Sequence, residues 1–571
     1  MAWTKPSNWP DITSVTTNQI KLLVDSRIPY IAFFLDIENG GQYSIDWGDG
    51  TTENNRSSGI VYEHTYTGVD YYVITITSSN NIKRFKISAG GSYDEKIKEY
   101  GILWVNFGQP GASPTGAIHM FDYTYSLTSL KYGITCPYIE RVDIPSFQSC
   151  VSVTGLFNGL KSLQKVVLPS SWGNVKSVAH LFDSCISLSD SSDITLPTSW
   201  GNVNDASYMF ANCISLTSIP SLPSSWGSVK SVKYMFYKCT SLSSVSLSSY
   251  GWGNIQDASY MFAGCSNLSS ITLPSAWGNY LVNLEGIFMS CINLNTITGF
   301  PTSWNNVEYV NSMFEDCLSL QSRSLPSSWG NVKKVDRMFA GCRLLSSTSL
   351  PTSWNTYIKS TEGMFMSCSR LSSVSIPSSW SNIESVKRMF AGCISLTSIS
   401  LPTSWGSVKD VEGMFADCLS LGTSISLPTS WGNVENVKYL LLNCRSLTSI
   451  SSFPTSWGKI EDVTGLFEGT RISSISLPSS WGKIRRVDNL FRNCSNLTSV
   501  SLPETWGLVV SASRMFENCI ELSSITLPRS FNNVQDVSYM FFNCRNLNSV
   551  GMPIHWGDVK TTEGMFTGCK F

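Results

Sequence analysis

Residues 401–421 read LPTSWGSVKDVEGMFADCLSL. The stretch before it, 376–396, reads IPSSWSNIESVKRMFAGCISL, and the one after, 427–447, reads LPTSWGNVENVKYLLLNCRSL. One phrase of about 25 residues is being repeated, and self-similarity at such a period signals a stacked-repeat architecture. From Trp172 onward Trp recurs at steps of 24 to 28 residues, with Phe531 in one Trp place, giving sixteen copies. Cys follows each Trp by thirteen residues, or by fourteen after Trp277 and Trp354, and only Thr470 breaks the row.

Within the copy that starts at Trp380, apolar residues fall at Ile383, Val386, Met389, Phe390 and Cys393. Steps of three and four predict one face of a short helix. Leu396, Ile399 and Leu401 with Ser400 between the last two predict a short strand, ended by Pro402. So small a unit cannot bury an apolar face alone, whereas stacked copies can. In that stack the Trp row (Trp172, Trp200, Trp226, Trp405) and the Cys row (Cys185, Cys213, Cys239, Cys418) are expected inside, as structural rows. Each Trp is expected to close a corner with its indole N–H on a backbone carbonyl. The Met-Phe pairs are core.

Only 14% of residues are charged and the formal net charge is −1, so no basic surface for nucleic acid is expected. No apolar run reaches the length of a membrane span, and the first residues lack the charged and apolar pattern of a secretory signal. The seventeen Cys contain no CxxC pair, and the four His (64, 119, 180, 555) cannot complete zinc sites. Reduced, buried thiols are the expectation. No GxSxG, HExxH or phosphate-cradling glycine loop is present, which points to a protein that is not an enzyme and needs no cofactor or metal.

The chain before the repeats divides into an arm (1–20), a β-sandwich of immunoglobulin type (21–98), and a junction with a degenerate first repeat (99–145), where Thr124 takes the Cys place. The repeats proper occupy 146–571, about 16–17 copies, with Phe147 and Leu160 in the first Trp and Cys places. YSIDWGDGTTE (43–53) carries Trp47, Gly48, Asp49 and Gly50, and His64, Thr65 and Tyr66 follow. These motifs resemble the polycystic-kidney-disease (PKD) type of immunoglobulin-like domain over about sixty residues, which implies a spacer or binding module. Asp46 and Asp49 are candidate calcium ligands, although Asp49 and Gly50 also suit a tight turn.

SWGNVKSVAHLFDSCISL (171–188) and SWGNVNDASYMFANCISL (199–216) resemble the BspA-like leucine-rich repeats, in the branch shared with mycoplasmal surface lipoproteins. The resemblance spans about 400 residues and implies adhesion. The expected fold is therefore a mostly β N-terminal sandwich followed by an α/β leucine-rich-repeat solenoid, with one short helix and one short parallel strand per repeat. Side chains that change from copy to copy, such as Lys409-Asp410, Glu435-Asn436, Arg485-Arg486 and Gln535-Asp536, mark positions the scaffold leaves free.

Without the export signal and lipid anchor of the family, the expected setting is a bacteriophage virion, folded in host cytoplasm. There the arm and sandwich would touch other virion proteins, and the solenoid would touch a host-surface glycan or protein. A bacterial cell-surface adhesin is the alternative, and a purely structural virion spacer a third. The sequence stops at GMFTGCKF (564–571), directly after Cys569, so a second copy or another subunit is expected to cap the last repeat.

Overall fold

The computed structural model describes residues 4–16, 19–28, 30–80 apart from 38 and 39, 82–87, 101–107, 138–144 and, apart from short stretches between 171 and 505, 152–570. Two compact units result, residues 1–300 and 301–571. Residues 108–137, where the degenerate copy at Thr124 falls, lie outside the described residues, as do Phe147 and Trp226.

The first unit begins with two sheets. Their strands are β1 (Gln19–Asp25), β2 (Tyr30–Ile37), β3 (Gln42–Asp46), β4 (Thr52–Ser57), β5 (Ile60–Thr65), β6 (Tyr71–Ser78), β7 (Ile82–Ile87) and β8 (Ile102–Phe107). One sheet runs β4-β3-β6-β1-β8 and the other β5-β2-β7, all pairs antiparallel. Phe33 on β2 meets Trp47, just beyond β3, with ring centroids 5.5 Å apart, which closes the sandwich. The β3–β6 and β2–β5 pairs match the C–F and B–E pairs of an immunoglobulin-type sandwich. The place beside β6, which the last strand would take there, is held by β1, and β7 joins the other sheet.

The turn after β3 is built around Trp47. Its ring stacks on His64 at 4.5 Å, its indole N–H donates to Glu53, and its carbonyl accepts from the Tyr66 hydroxyl at 2.8 Å. Gly48 has φ +82, and a Cβ there would lie 2.6 Å from the Val73 carbonyl oxygen. Only glycine fits that turn.

The sandwich sheet does not stop at β8. It continues in parallel pairing through β9 (Arg141–Asp143), β10 (Lys165–Val167) and β11 (Ile194–Thr195), the first strands of the repeats. The arm lies against this shared sheet: Trp9 and Ile12 are buried with Leu23, Leu103 and Trp104. These two arm residues are core of the chain itself.

Each later repeat is one coil of a parallel β-solenoid. In the first unit Ser244–Ser246, Ser270–Thr272 and Thr296–Thr298 pair in parallel and in register. In the second, Ser424–Ser426 pairs with Ser449–Ser452, and Ser474–Ser476 with Ser499–Ser501.

The expected helix is absent. Among the described residues of the repeats only two 3₁₀ turns, Ser191–Asp193 and Trp252–Asn254, are helical at all. Residues 206–213 show what replaces it. The N–H groups of Ala206, Tyr208, Phe210 and Asn212 donate to the next coil, at Ser231, Lys233, Met235 and Tyr237. Those of Met209, Ala211 and Cys213 donate three residues back, to Ala206, Tyr208 and Phe210. Ser207 N–H donates to the Asp205 carboxylate at 3.0 Å. Every N–H in the segment is thus paired, half of them between coils.

The reason is spacing. Equivalent Phe rings of successive coils stand 5.1–5.5 Å apart from Phe182 through Phe210 and Phe236 to Phe262, close to the separation of adjacent strands. An α-helix is about 10–12 Å across with its side chains, so helices cannot stack at this interval. A chain of turns can, because each turn is one backbone thick.

The Asp205 contact recurs down a column of side chains that start the turns. Asp257, Asn283, Asp410, Asp462 and Asp536 each accept the N–H two residues on at 2.9–3.0 Å. Where Arg486 takes this place, Asp488 instead accepts the Ser513 N–H of the next coil at 2.9 Å. The column that includes Asp410, Asn436 and Asp536 is therefore bound to the frame, which the copy-to-copy variation did not reveal. Asp536→Ala leaves the Ser538 N–H without its acceptor and is expected to cost about 1 kcal/mol. Asp536→Asn should be near neutral, as urea unfolding of both variants will measure.

Candidate recognition face

The turn ladder forces two residues per coil into the left-handed region, four apart. They are Tyr208 and Asn212 (φ 58 each), Tyr439 and Asn443 (φ 56 each), Asn489 and Asn493 (φ 55 and 60), and Gly413 and Asp417 (φ 56 and 59). Gly, Asn and Asp tolerate this backbone best. The ladder turns their side chains outward, so two surface columns run along the coils.

The first column carries aromatic rings and the arginines Arg337, Arg388 and Arg514. In the first unit His180, Tyr208, Tyr234 and Tyr260 form one stack, with centroids 4.3, 4.6 and 4.8 Å apart and planes within 14°. At several other levels a large side chain is followed by glycine. A Cβ on Gly286 would lie 2.3 Å from Tyr260 Cε1, and one on Gly465 2.4 Å from Tyr439 Cδ1. Before two of these glycines a glutamate accepts from the large neighbour: Tyr260 hydroxyl to Glu285 at 2.7 Å, and Tyr539 hydroxyl to Glu563. Gly286→Ala should cost about 1–2 kcal/mol from backbone strain and displace Tyr260; a fall in the melting temperature of the full chain checks it.

The second column is held by amide ladders. Asn443 donates to Asp417 at 2.9 Å, Asn518 to Asn493 at 2.7 Å, and Asn543 to Asn518 at 2.8 Å.

Between the columns in the second unit lies an open groove of about 420 Å³. Ala391, Gly392, Gly413 and Ala416 keep its floor low, and Arg388, Asp417 and Tyr439 rise around it. Glu412 sits at its side, 3.3 Å from Lys387 and 3.7 Å from Arg388. Burial pushes the Glu412 carboxyl up, but the Asn436 amide and the Lys387 ammonium outweigh it and hold it below the usual carboxylate range.

The Trp and Cys rows lie on the inside. Trp172, Trp200 and Trp405 are buried, and Trp172 stacks on Trp200 at 5.2 Å. Trp329 donates its indole N–H to the Pro326 carbonyl at 3.0 Å, the corner contact expected of the whole row. For Trp405, Trp431 and Trp506 no acceptor lies within reach among the described residues, so these three are held chiefly by packing.

Cys185, Cys213, Cys239 and Cys418 are buried and free. Each thiol donates to the carbonyl of a Phe in the preceding coil, Cys213 to Phe182 and Cys418 to Phe390, both at 3.1 Å. Thr470 instead donates to Phe467 of its own coil at 2.9 Å. Burial raises the thiols far above their ordinary range, to about 12 at Cys265, Cys393, Cys494 and Cys544.

Asp46 and Asp49 spend their oxygens on the turn. Asp46 accepts the Gly48 N–H at 2.9 Å, and Asp49 accepts the Thr51 N–H at 3.0 Å and faces His64 Nε2 at 2.8 Å. Among the described residues no three potential ligands converge on a metal site.

The family description "BspA type Leucine rich repeat region" matches residues 134–220, 153–284, 258–387, 360–486 and 464–571. The chain belongs to the BspA-type leucine-rich repeat family. Solved leucine-rich repeat structures are similar to it at low identity. One from Eubacterium ventriosum is 19% identical, covers 66% of this chain and 95% of its own, and has a TM-score of 0.36. A leucine rich cell surface protein from Faecalibacterium prausnitzii is 16% identical over 72% of this chain and 95% of its own, with a TM-score of 0.27. A leucine rich repeat protein from T. pallidum is 24% identical over 31% of this chain and 78% of its own, with a TM-score of 0.25. Comparison with curated proteins finds no match. No helix among the described residues of this BspA-type chain is long and apolar enough to cross a membrane.

Proposed function

We propose that this BspA-type chain is a non-enzymatic recognition protein that binds a host-surface glycan or protein through the outward columns of its turn face. The observation that carries this reading is the pairing of a backbone fixed by inter-coil hydrogen bonds with surface side chains that change from coil to coil. Arg388, Gly413, Tyr439 and Gly465 occupy one column at four successive coils with the same left-handed backbone. A rigid frame with freely varied surface groups suits recognition.

Carriage on a bacteriophage particle is the setting we favour. Fifteen described thiols, none in a disulfide, suit a chain that folds in a reducing cytoplasm. On this reading the β-sandwich, with its PKD-like turn at Trp47–Gly50, joins the arm in contacting other virion proteins. Membership of the BspA-type family favours a second setting, the bacterial cell surface.

Labelled full-length chain added to cells of candidate hosts tests the function. Saturable binding that also lowers infection supports a virion adhesin, and binding without any effect on infection supports the cell-surface setting. Absence of binding to every host surface leaves an architectural spacer and overturns the recognition reading.

A further inference from the structure

The tyrosines of the first column differ in what covers their faces. Tyr208 and Tyr234 are stacked on both sides. Tyr260 lies between Tyr234 and Gly286. Tyr539 has the Arg514 guanidinium 4.5 Å from its centroid on one side and Gly564 on the other. Tyr439 alone among them has glycine in the coils before and after it, Gly413 and Gly465. Its ring rests on the Gly465 side, and among the described residues no ring or cation lies over it. The other face turns toward Gly413, where the Arg388 side chain also lies, its Cγ 3.4 Å and its Nε 4.0 Å from where a Cβ would stand, and all three line the groove of about 420 Å³.

We propose that this groove is a saccharide site, with Tyr439 as the stacking platform for one pyranose ring of a neutral glycan. The assignment rests on the recognition reading above and supplies its ligand class. An aromatic face offers a large apolar surface to the C–H side of a sugar ring. Around that face the polar groups alternate in kind. Arg388, whose side chain is 56% exposed, can only donate, and Asp417 and Glu412 as carboxylates can only accept. Sugar hydroxyls do both, so adjacent hydroxyls can be met by both kinds of partner.

The charge of the groove argues for a neutral ligand. Lys387 and Arg388 stand near Glu412, while the Asp417 carboxylate on the exposed rim has, among the described residues, the Asn443 amide as its one hydrogen-bond partner. An acidic sugar would meet that carboxylate. The volume falls within the ~300–1,000 Å³ typical of small-ligand sites, and the low floor of Gly392, Gly413 and Ala416 leaves the groove open along the coils, as an extended chain of sugars needs.

The column itself supplies variants that should fold. Glycine stands at Tyr439's place in six other coils, at 155, 286, 363, 413, 465 and 564, so Tyr439→Gly removes the platform with a residue the frame already uses. Gly413→Tyr repeats the Tyr208–Tyr234 arrangement and covers the open face. Saturation-transfer NMR and calorimetry on the full chain, with lactose, N-acetyllactosamine, cellobiose and chitobiose as probes, read the site; unchanged melting of each variant verifies its fold. We expect at least one probe to bind, with transfer concentrated on one ring. Affinity should fall at least ten-fold in Tyr439→Gly and in Gly413→Tyr. No binding of any probe, or equal binding by both variants, overturns the assignment. If full-length chain still binds host cells in that case, recognition stands and only the saccharide site falls; if it does not, both fall.

Discussion

Phe390→Ala is expected to lower the unfolding free energy of the second unit by about 3–5 kcal/mol, the usual cost of truncating a buried phenylalanine. The ring is fully buried, with Phe365 stacked at 5.6 Å on one side and Phe415 at 5.9 Å on the other, planes within 6°. Truncation therefore opens a void between two coils at once. The surrounding backbone cannot collapse into it, because the Phe390 N–H donates to Met414 of the next coil and its carbonyl accepts from Cys393 N–H and the Cys418 thiol. Phe390→Leu is the control. Leu441 already occupies the equivalent place and is buried, so this swap should cost less than about 1.5 kcal/mol. Urea unfolding of both variants provides the measurement. A loss under about 1 kcal/mol in the alanine variant would show that the Phe row is not what binds the coils together.

Thiol chemistry should separate folded from unfolded chain by an even wider margin. At pH 8 an ordinary cysteine near pKa ~8.5 is roughly a quarter thiolate, the reactive form. A thiol raised to about 12, as at Cys265 and Cys393, is about 10³-fold less ionised at that pH, before any loss of access is counted. Native chain treated with iodoacetamide should therefore leave the row unmodified, with Cys569, only partly buried, as its one reactive member. In guanidinium every cysteine should react. Peptide mass spectrometry resolves each site, and rapid labelling of Cys393 or Cys418 in the native chain would contradict the buried row.

The repeat length, the family and a solenoid of coils were legible in the sequence, because Trp, Phe and Cys return at a nearly constant interval. The conformation between Trp and Cys was not. Steps of three and four, as at Val386, Met389, Phe390 and Cys393, arise from a helix and equally from turns that each span three residues. The signal that separates them lay at the outward positions. Tyr208 and Asn212, Asn489 and Asn493, and Gly413 and Asp417 place residues tolerant of positive φ four apart, where a helix would favour Ala, Glu or Lys.

The candidate groove was less legible still. It depends on glycine at two successive levels, 392 and 413, and on a tyrosine with glycine on either side. Each of these is unremarkable in its own repeat and acquires meaning only when the coils are placed on top of one another. The positions beginning Lys409-Asp410 read as unconstrained, yet Asp410, Asn436 and Asp536, the second members of three of the four pairs, each anchor a turn through the side chain.

The uninterrupted ladder from β1 through β8 and β9 to β10 has a mechanical consequence. A load applied between the amino-terminal sandwich and the first coils acts on several backbone hydrogen bonds in concert, and those bonds must shear together before the two parts separate. There is no pivot at that seam. Whatever holds the sandwich thereby sets the direction in which the neighbouring coils point.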